Sequence, residues 1–116
     1  MLVVYTDNMR AELLLKQKLI LSESSFVEMV IWQLPEPLAG SVDAFKFRFA
    51  YVVDSECVLR FDNEAGKGNH YHRGQQEFYY DFVSTDQLID DFFAMVNEME
   101  SSRWKQFYCQ LNHPQA

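Results

Sequence analysis

The chain alternates apolar and polar residues in blocks, and the blocks define its elements. The clearest block is 45–53, where Phe45, Phe47, Phe49, Tyr51 and Val53 alternate with Lys46, Arg48, Ala50 and Val52. A period of two puts each set on its own face of a strand. Cys57, Leu59 and Phe61 repeat the pattern against Arg60, Asp62 and Glu64, so a second strand comes after the turn Asp54-Ser55-Glu56. Upstream, 26–34 is rich in Val, Ile, Trp and Phe and reads as a strand that Pro35 and Pro37 stop, with loop to residue 44. Residues 11–22 have helical propensity. The polar Ser22-Glu23-Ser24-Ser25 after them nevertheless reads as a turn between strands, so a strand is expected there. Residues 77–83, rich in Phe and Tyr, form a further strand.

The period changes at Ser84. Ser84 with Gln87 makes a capping box, and Val83 with Leu88 the hydrophobic staple of a helix start. Leu88, Phe92, Met95, Val96 and Met99 then fall on one helical stripe, which reads as core. The helix is expected to fray near Ser101-Ser102, leaving 103–116 as an aromatic tail with Trp104, Phe107 and Tyr108. The expected fold is α+β, an antiparallel sheet of about five strands with one long C-terminal helix packed on its odd-numbered face. The even-numbered face would be open. Residues 1–116 form a single domain, with 1–8 as a lead-in and Met9 as an alternative start.

Composition narrows the class. Apolar residues make up 48% and aromatic ones 16%, so a folded core is expected rather than disorder. No apolar run is long enough to cross a membrane and no signal peptide is visible. Cys57 and Cys109 are too few for a disulfide framework or a cysteine zinc site. Cys57, on an apolar strand face, reads as an inert core thiol. A reducing cytoplasm fits. The net charge of −7 argues against nucleic acid until it is divided along the chain. Residues 74–102 carry seven acidic groups and no basic one, whereas 45–73 carry five basic and four acidic. The acid is therefore concentrated away from the charged strand.

That strand runs into the densest chemistry of the sequence. Residues 58–72 read Val-Leu-Arg-Phe-Asp-Asn-Glu-Ala-Gly-Lys-Gly-Asn-His-Tyr-His. Gly66 and Gly68 break the strand around Lys67, and His70 and His72 come next, two apart. A five-residue loop, 65–69, would place Glu64 opposite His70 and Asp62 opposite His72. A three-residue loop at 54–56 would pair Val53 with Cys57, Arg48 with Asp62 and Lys46 with Glu64.

Three readings stand open on these residues. In the first, Lys46–Glu64 and Arg48–Asp62 are ordinary cross-strand ion pairs and the histidines have no task. In the second, Asp62, Glu64, His70 and His72 form an N/O metal site suited to zinc or manganese. In the third, the two histidines act as acid and base on RNA near neutral pH. Arg60, Lys67 or Arg48 would then steady the charge that builds on phosphorus. His113 reads as a bystander.

Four phrases resemble the TumE family of small bacterial toxins. They are Ala-Glu-Leu-Leu-Leu-Lys (11–16), Ser-Phe-Val-Glu-Met-Val-Ile-Trp (25–32), Arg-Phe-Asp-Asn-Glu-Ala-Gly-Lys-Gly-Asn-His-Tyr-His (60–72) and Phe-Val-Ser-Thr-Asp-Gln-Leu-Ile-Asp-Asp-Phe (82–92). The resemblance spans residues 9–100. The Asp-Asn-Glu, Gly-Lys-Gly and His-x-His run is its most specific part, with Asn69 standing where Asp is expected. The family's shared residues map onto Arg60, Asp62, Asn63, Glu64, Gly66, Lys67, Gly68, His70 and His72. The resemblance implies the toxin half of a toxin–antitoxin pair, neutralised by a small DNA-binding antitoxin encoded beside it. It leaves the mechanism open. A sheet with an RNA-cutting face beside helices is also how several other small toxins are built, which is fold analogy alone.

The functional expectation is a metal-independent endoribonuclease with no cofactor. His70 and His72 would be acid and base, Asp62 and Glu64 would orient them, and Lys67, Arg60, Arg48 and Lys46 would meet phosphate. The expected partners are the cognate antitoxin, met by the acidic helix, and RNA, with a homodimer as a further expectation. The alternative is a non-catalytic protein that uses the open sheet face and the aromatic tail for partner binding.

Overall fold

The computed structural model describes residues 11–37, 44–64 and 66–112, with side chains up to Arg103. The chain divides into two compact units, Met1–Asp81 and Phe82–Ala116. The first is a six-stranded antiparallel meander in which every strand pairs with its sequence neighbours: β1 (Glu12–Ile20), β2 (Ser25–Gln33), β3 (Phe45–Val53), β4 (Glu56–Glu64), β5 (Gly68–Arg73) and β6 (Gln76–Tyr79). The second is the helix α1 (Thr85–Asn112). The class is the α+β expected, with six strands among the described residues rather than about five. The added element is β5, the return limb that carries His70 and His72; a hairpin at Gly74-Gln75, with Gly74 at a φ of +62°, leads from it into β6, which covers Gln76–Tyr79 of the strand expected over 77–83.

Alternation decides which face of the sheet is core. Val27, Met29, Ile31, Phe47, Phe49, Tyr51, Leu59 and Phe61 are buried, all on the odd-numbered face. Full burial of one such aromatic contributes about 2–3 kcal/mol. The aromatic row continues across the strands. Phe61 stacks on Tyr71 with ring centroids 5.0 Å apart, and Tyr71 on Phe78 at 4.9 Å. Tyr80 closes the row edge-on against Phe61 at 5.1 Å.

The turns differ from expectation in two places. Between β3 and β4 the loop has two residues, Asp54 and Ser55, both at positive φ, as a tight twisted hairpin requires. The Asp54 N–H donates to the Ser24 carbonyl at 2.8 Å, so the neighbouring β1–β2 turn holds it in place. Val53 therefore pairs with Glu56 and Val52 with Cys57. A bulge then adds one residue, Val58, and Tyr51–Leu59 through Arg48–Asp62 adopt the expected register. The bulge reverses the parity of everything before it. Cys57 thus leaves the core face and is an exposed free thiol, not the buried one expected.

Between β4 and β5 the loop is three residues, not five. Lys67 N–H donates to the Glu64 carbonyl at 3.1 Å, and Gly68, at φ +76°, opens β5. The pairs are Glu64–Gly68, Asp62–His70 and Arg60–His72. The shift from expectation is two residues, so each side chain keeps its face and changes its partner.

In the second unit, Ser84 caps the helix through its Oγ, which accepts the Gln87 N–H at 3.0 Å. Leu88, Phe92 and Val96 are its buried positions, while Val83 is 70% exposed and so staples little. The helix does not stop at Ser101-Ser102. It continues to Asn112, with Arg103 and Glu100 paired across that stretch at 2.6 Å and no Gly or Pro before Pro114. The expected tail is thus helical over most of its length. The side chains of Trp104, Phe107, Tyr108 and Cys109, and His113 altogether, lie outside the described residues. No helix among the described residues is long and apolar enough to cross a membrane.

Candidate functional site

β4, β5 and β6 bring the site together on the even-numbered face of β4 and β5. Arg60–His72–Glu77 form one cross-strand row and Asp62–His70–Tyr79 the next. Residues directly opposed share a face, so six side chains meet in two adjacent rows. Asp62 and His70 are buried, with side-chain exposures of 10% and 7%. His72 is more open, at 29%.

The contacts converge on the imidazoles. His70 Nε2 lies 2.9 Å from Asp62 Oδ1 and 3.5 Å from Glu77 Oε2. His72 Nε2 lies 3.4 Å from the same Glu77 oxygen. The two rings stand edge to face, 5.0 Å between centroids. Asp62 Oδ2 meets Arg60 Nε at 3.0 Å. Close as these atoms are, Arg60 Nε, Asp62 Oδ1 and His72 Nε2 are buried without an aligned hydrogen bond. The oxygens sit beside the ring nitrogens rather than in line with them.

A cleft of about 350 Å³ reaches this cluster from the β5–β6 side. It is lined by Lys67, Asn69, His70, Glu77, Phe78 and Tyr79. Lys67 is exposed at the hairpin tip, where Gly66 at φ +83° and Gly68 flank it. Tyr79 is 75% exposed, a flat aromatic surface one strand from His70.

The expected site residues separate into three groups. Arg60, Asp62, His70 and His72 come together, with Lys67 at the rim. Arg48 is opposite Asp62 in register, but it is exposed and the carboxylate turns to Arg60. Glu64 and Lys46 lie apart from the cluster. Glu64 is exposed at the hairpin end opposite Gly68, not opposite His70. Lys46 donates to the backbone carbonyl of Asn63 and does not pair with Glu64. The pairing of β3 with β4 ends at Arg48–Asp62 because the Asn63 side chain replaces the ladder beyond it. The buried Asn63 accepts the Phe47 N–H at 3.0 Å and donates to the Phe45 carbonyl at 2.7 Å. Its work is structural.

Glu77 and Tyr79 are the site residues that sequence reasoning missed. Both carry odd numbers, which simple alternation assigns to the core face. The two-residue turn at Gly74-Gln75 reverses parity, so His72 meets Glu77 and His70 meets Tyr79. The one signal for this was Gly74 between two polar stretches.

A protein-family model described as Toxin TumE matches residues 5–100. No curated protein and no solved structure matches the chain.

Proposed function

The chain belongs to the TumE toxin family, and on that footing we propose that it is the toxin of a toxin–antitoxin pair and cuts RNA with His72 as general base and His70 as general acid. The observation that carries the reading is the histidine pair itself. One ring is partly open and one buried, they lie 5.0 Å apart, and the cleft leads to the buried ring. His72, the more exposed, takes the proton of a ribose 2′-hydroxyl. The freed oxygen attacks the adjacent phosphorus and the bond to the 5′ oxygen breaks. His70 protonates that leaving oxygen. The products are a 2′,3′-cyclic phosphate and a 5′-hydroxyl end. Positioned acid–base groups of this kind contribute about 10²–10⁴-fold each.

The other residues serve that exchange. Asp62 and Glu77 set negative charge beside the rings, Asp62 at His70 and Glu77 at both, a task the sequence had suggested for Asp62 and Glu64. Lys67 at the tip and Arg60, partly open beside Asp62, face the charge that builds on phosphorus. Arg48 is exposed further along the same face and binds the flanking backbone. The antitoxin meets the helix, where Asp86, Asp90 and Glu98 are exposed and offer a basic partner a complementary surface. With RNA as its substrate, the toxin acts in the cytoplasm.

Expression in a bacterial host tests the reading, with the wild type beside the His70→Ala/His72→Ala variant. Growth arrest with RNA decay in the wild type alone is expected. Arrest in both, or arrest with intact RNA, would remove the chemistry from these residues.

A further inference from the structure

We infer that Asp62, His70 and His72, with Glu77 on the open side, form a binding site for one divalent ion of the zinc type, and that the ion silences the toxin. Ligands at 2.0–2.1 Å around a tetrahedral zinc ion stand about 3.3–3.4 Å from each other. The donor atoms here lie 2.9, 3.5 and 3.4 Å apart along the path Asp62 Oδ1, His70 Nε2, Glu77 Oε2, His72 Nε2. The donor atoms of Asp62, His70 and His72 all fall within 4.8 Å of one another. Small movements of the open Glu77 side chain would bring the four donor atoms to the four corners of such a tetrahedron.

The orientation of the same atoms points to an ion independently of these lengths. A carboxylate that is hydrogen-bonded to an imidazole lies along the ring N–H direction. Two ligands of one ion instead lie side by side and both point at a third place. Asp62 Oδ1, on a side chain nine-tenths buried, stands 2.9 Å from His70 Nε2 yet has no aligned hydrogen bond, and neither has the buried His72 Nε2. Buried polar atoms are nearly always satisfied, and each exception needs a cause. An ion between these atoms would satisfy both at once.

The charges agree. Asp62 and Glu77 supply two negative charges, and Arg60 on Oδ2 returns one positive, which leaves the set net negative. Arg60 also stands where outer partners of metal ligands stand, its Nε 3.0 Å from the second carboxylate oxygen, Oδ2. Two imidazoles with carboxylate oxygens favour zinc over calcium or magnesium, which take all-oxygen sets.

Silencing is a consequence of the lone pairs and rests on the proton-transfer reading above. An imidazole nitrogen bound to zinc has no lone pair with which to take a proton, and no proton to give. One ion would therefore occupy the base and the acid together.

Titration of zinc chloride into the full chain, stripped with a chelator and followed by calorimetry, tests the binding directly. One ion per chain is expected, with a raised unfolding temperature on binding. His72→Ala should weaken binding by at least about a hundredfold, beyond the ten- to hundredfold typical of an outer partner. Glu28→Gln, on β2 and two strands from Arg60, should bind as the wild type does. No saturable binding in a folded chain, or binding that survives the loss of both histidines, would overturn the site. RNA cleavage measured with and without one equivalent of zinc tests the silencing. Loss of cleavage on adding zinc is expected, and an increase would overturn it. A stripped chain that never cuts RNA would instead sink the ribonuclease reading and the silencing with it, and leave the titration alone to judge the site.

Discussion

The even-numbered face of the sheet has two halves that obey the same alternation and treat charge in opposite ways. On β1 and β2 it carries Lys16, Lys18 and Glu28, all exposed. Lys18 opposes Glu28 and lays its ammonium 4.2 Å over the Phe26 ring. Such groups keep their water, and a pair of them is worth a few tenths of a kcal/mol. On β4 and β5 the same face buries Asp62 and His70, with Arg60 and His72 only partly open. Buried ionisable groups cost stability unless every one finds a partner, and here the Arg60 Nε, Asp62 Oδ1 and His72 Nε2 atoms have no aligned hydrogen bond. A sheet that needed only solubility would have repeated the first half. Ionisable groups packed into a cleft at some cost are what functional sites accumulate.

Substitutions can break or sharpen this contrast. The largest effect is expected at the histidines. His72→Ala and His70→Ala should each lower RNA cleavage by about 10²–10⁴-fold, read as initial rates on a purified transcript. Equal activity to wild type would make the buried half as idle as the solvated one. Next comes Asn63→Ala, which strands the Phe47 N–H and the Phe45 carbonyl where β3 and β4 part. It should cost about 2–4 kcal/mol of stability, measured from the urea midpoint.

Gly68→Ala should cost less, roughly 1–2 kcal/mol. A methyl there meets nothing within 4 Å, so only the backbone at φ +76° resists it. If that hairpin sets the pairing of Asp62 with His70, the variant should lose more activity than its stability loss explains. The smallest effect is expected for Lys18→Ala, within about 0.5 kcal/mol and with unchanged cleavage. A large loss there would erase the distinction between the halves.

How much of this could be read from the residues depended on what each feature obeys. Strands and faces obey alternation, so Phe47, Phe49, Tyr51 and Phe61 could be assigned to the core and Arg60, Asp62, His70 and His72 to one side. The Ser84 cap was equally legible, because capping is local. Partners obey turn length, which short polar stretches specify poorly. Asp54-Ser55 lacks the Asn-Gly signal of a two-residue hairpin, and its bulge at Val58 restored Arg48 opposite Asp62 while sending Cys57 out to solvent. The 64–68 hairpin closed two residues early, which moved His70 from Glu64 to Asp62. Gly74-Gln75 reversed parity unseen, and hid Glu77 and Tyr79 behind odd numbers. The helix ran past Ser101-Ser102 because nothing there forbids it, and two serines without glycine or proline are a weak stop.

The central claim is that His72 takes the proton of a ribose 2′-hydroxyl while His70 gives one to the leaving 5′ oxygen. It is tested most directly by incubating the purified chain, in excess chelator, with a single-stranded RNA and with the same strand carrying 2′-deoxy sugars. The account predicts that only the RNA is cut, leaving 2′,3′-cyclic phosphate ends. Cutting of the deoxy strand, or an RNA left whole by a chain that still arrests growth, would contradict it.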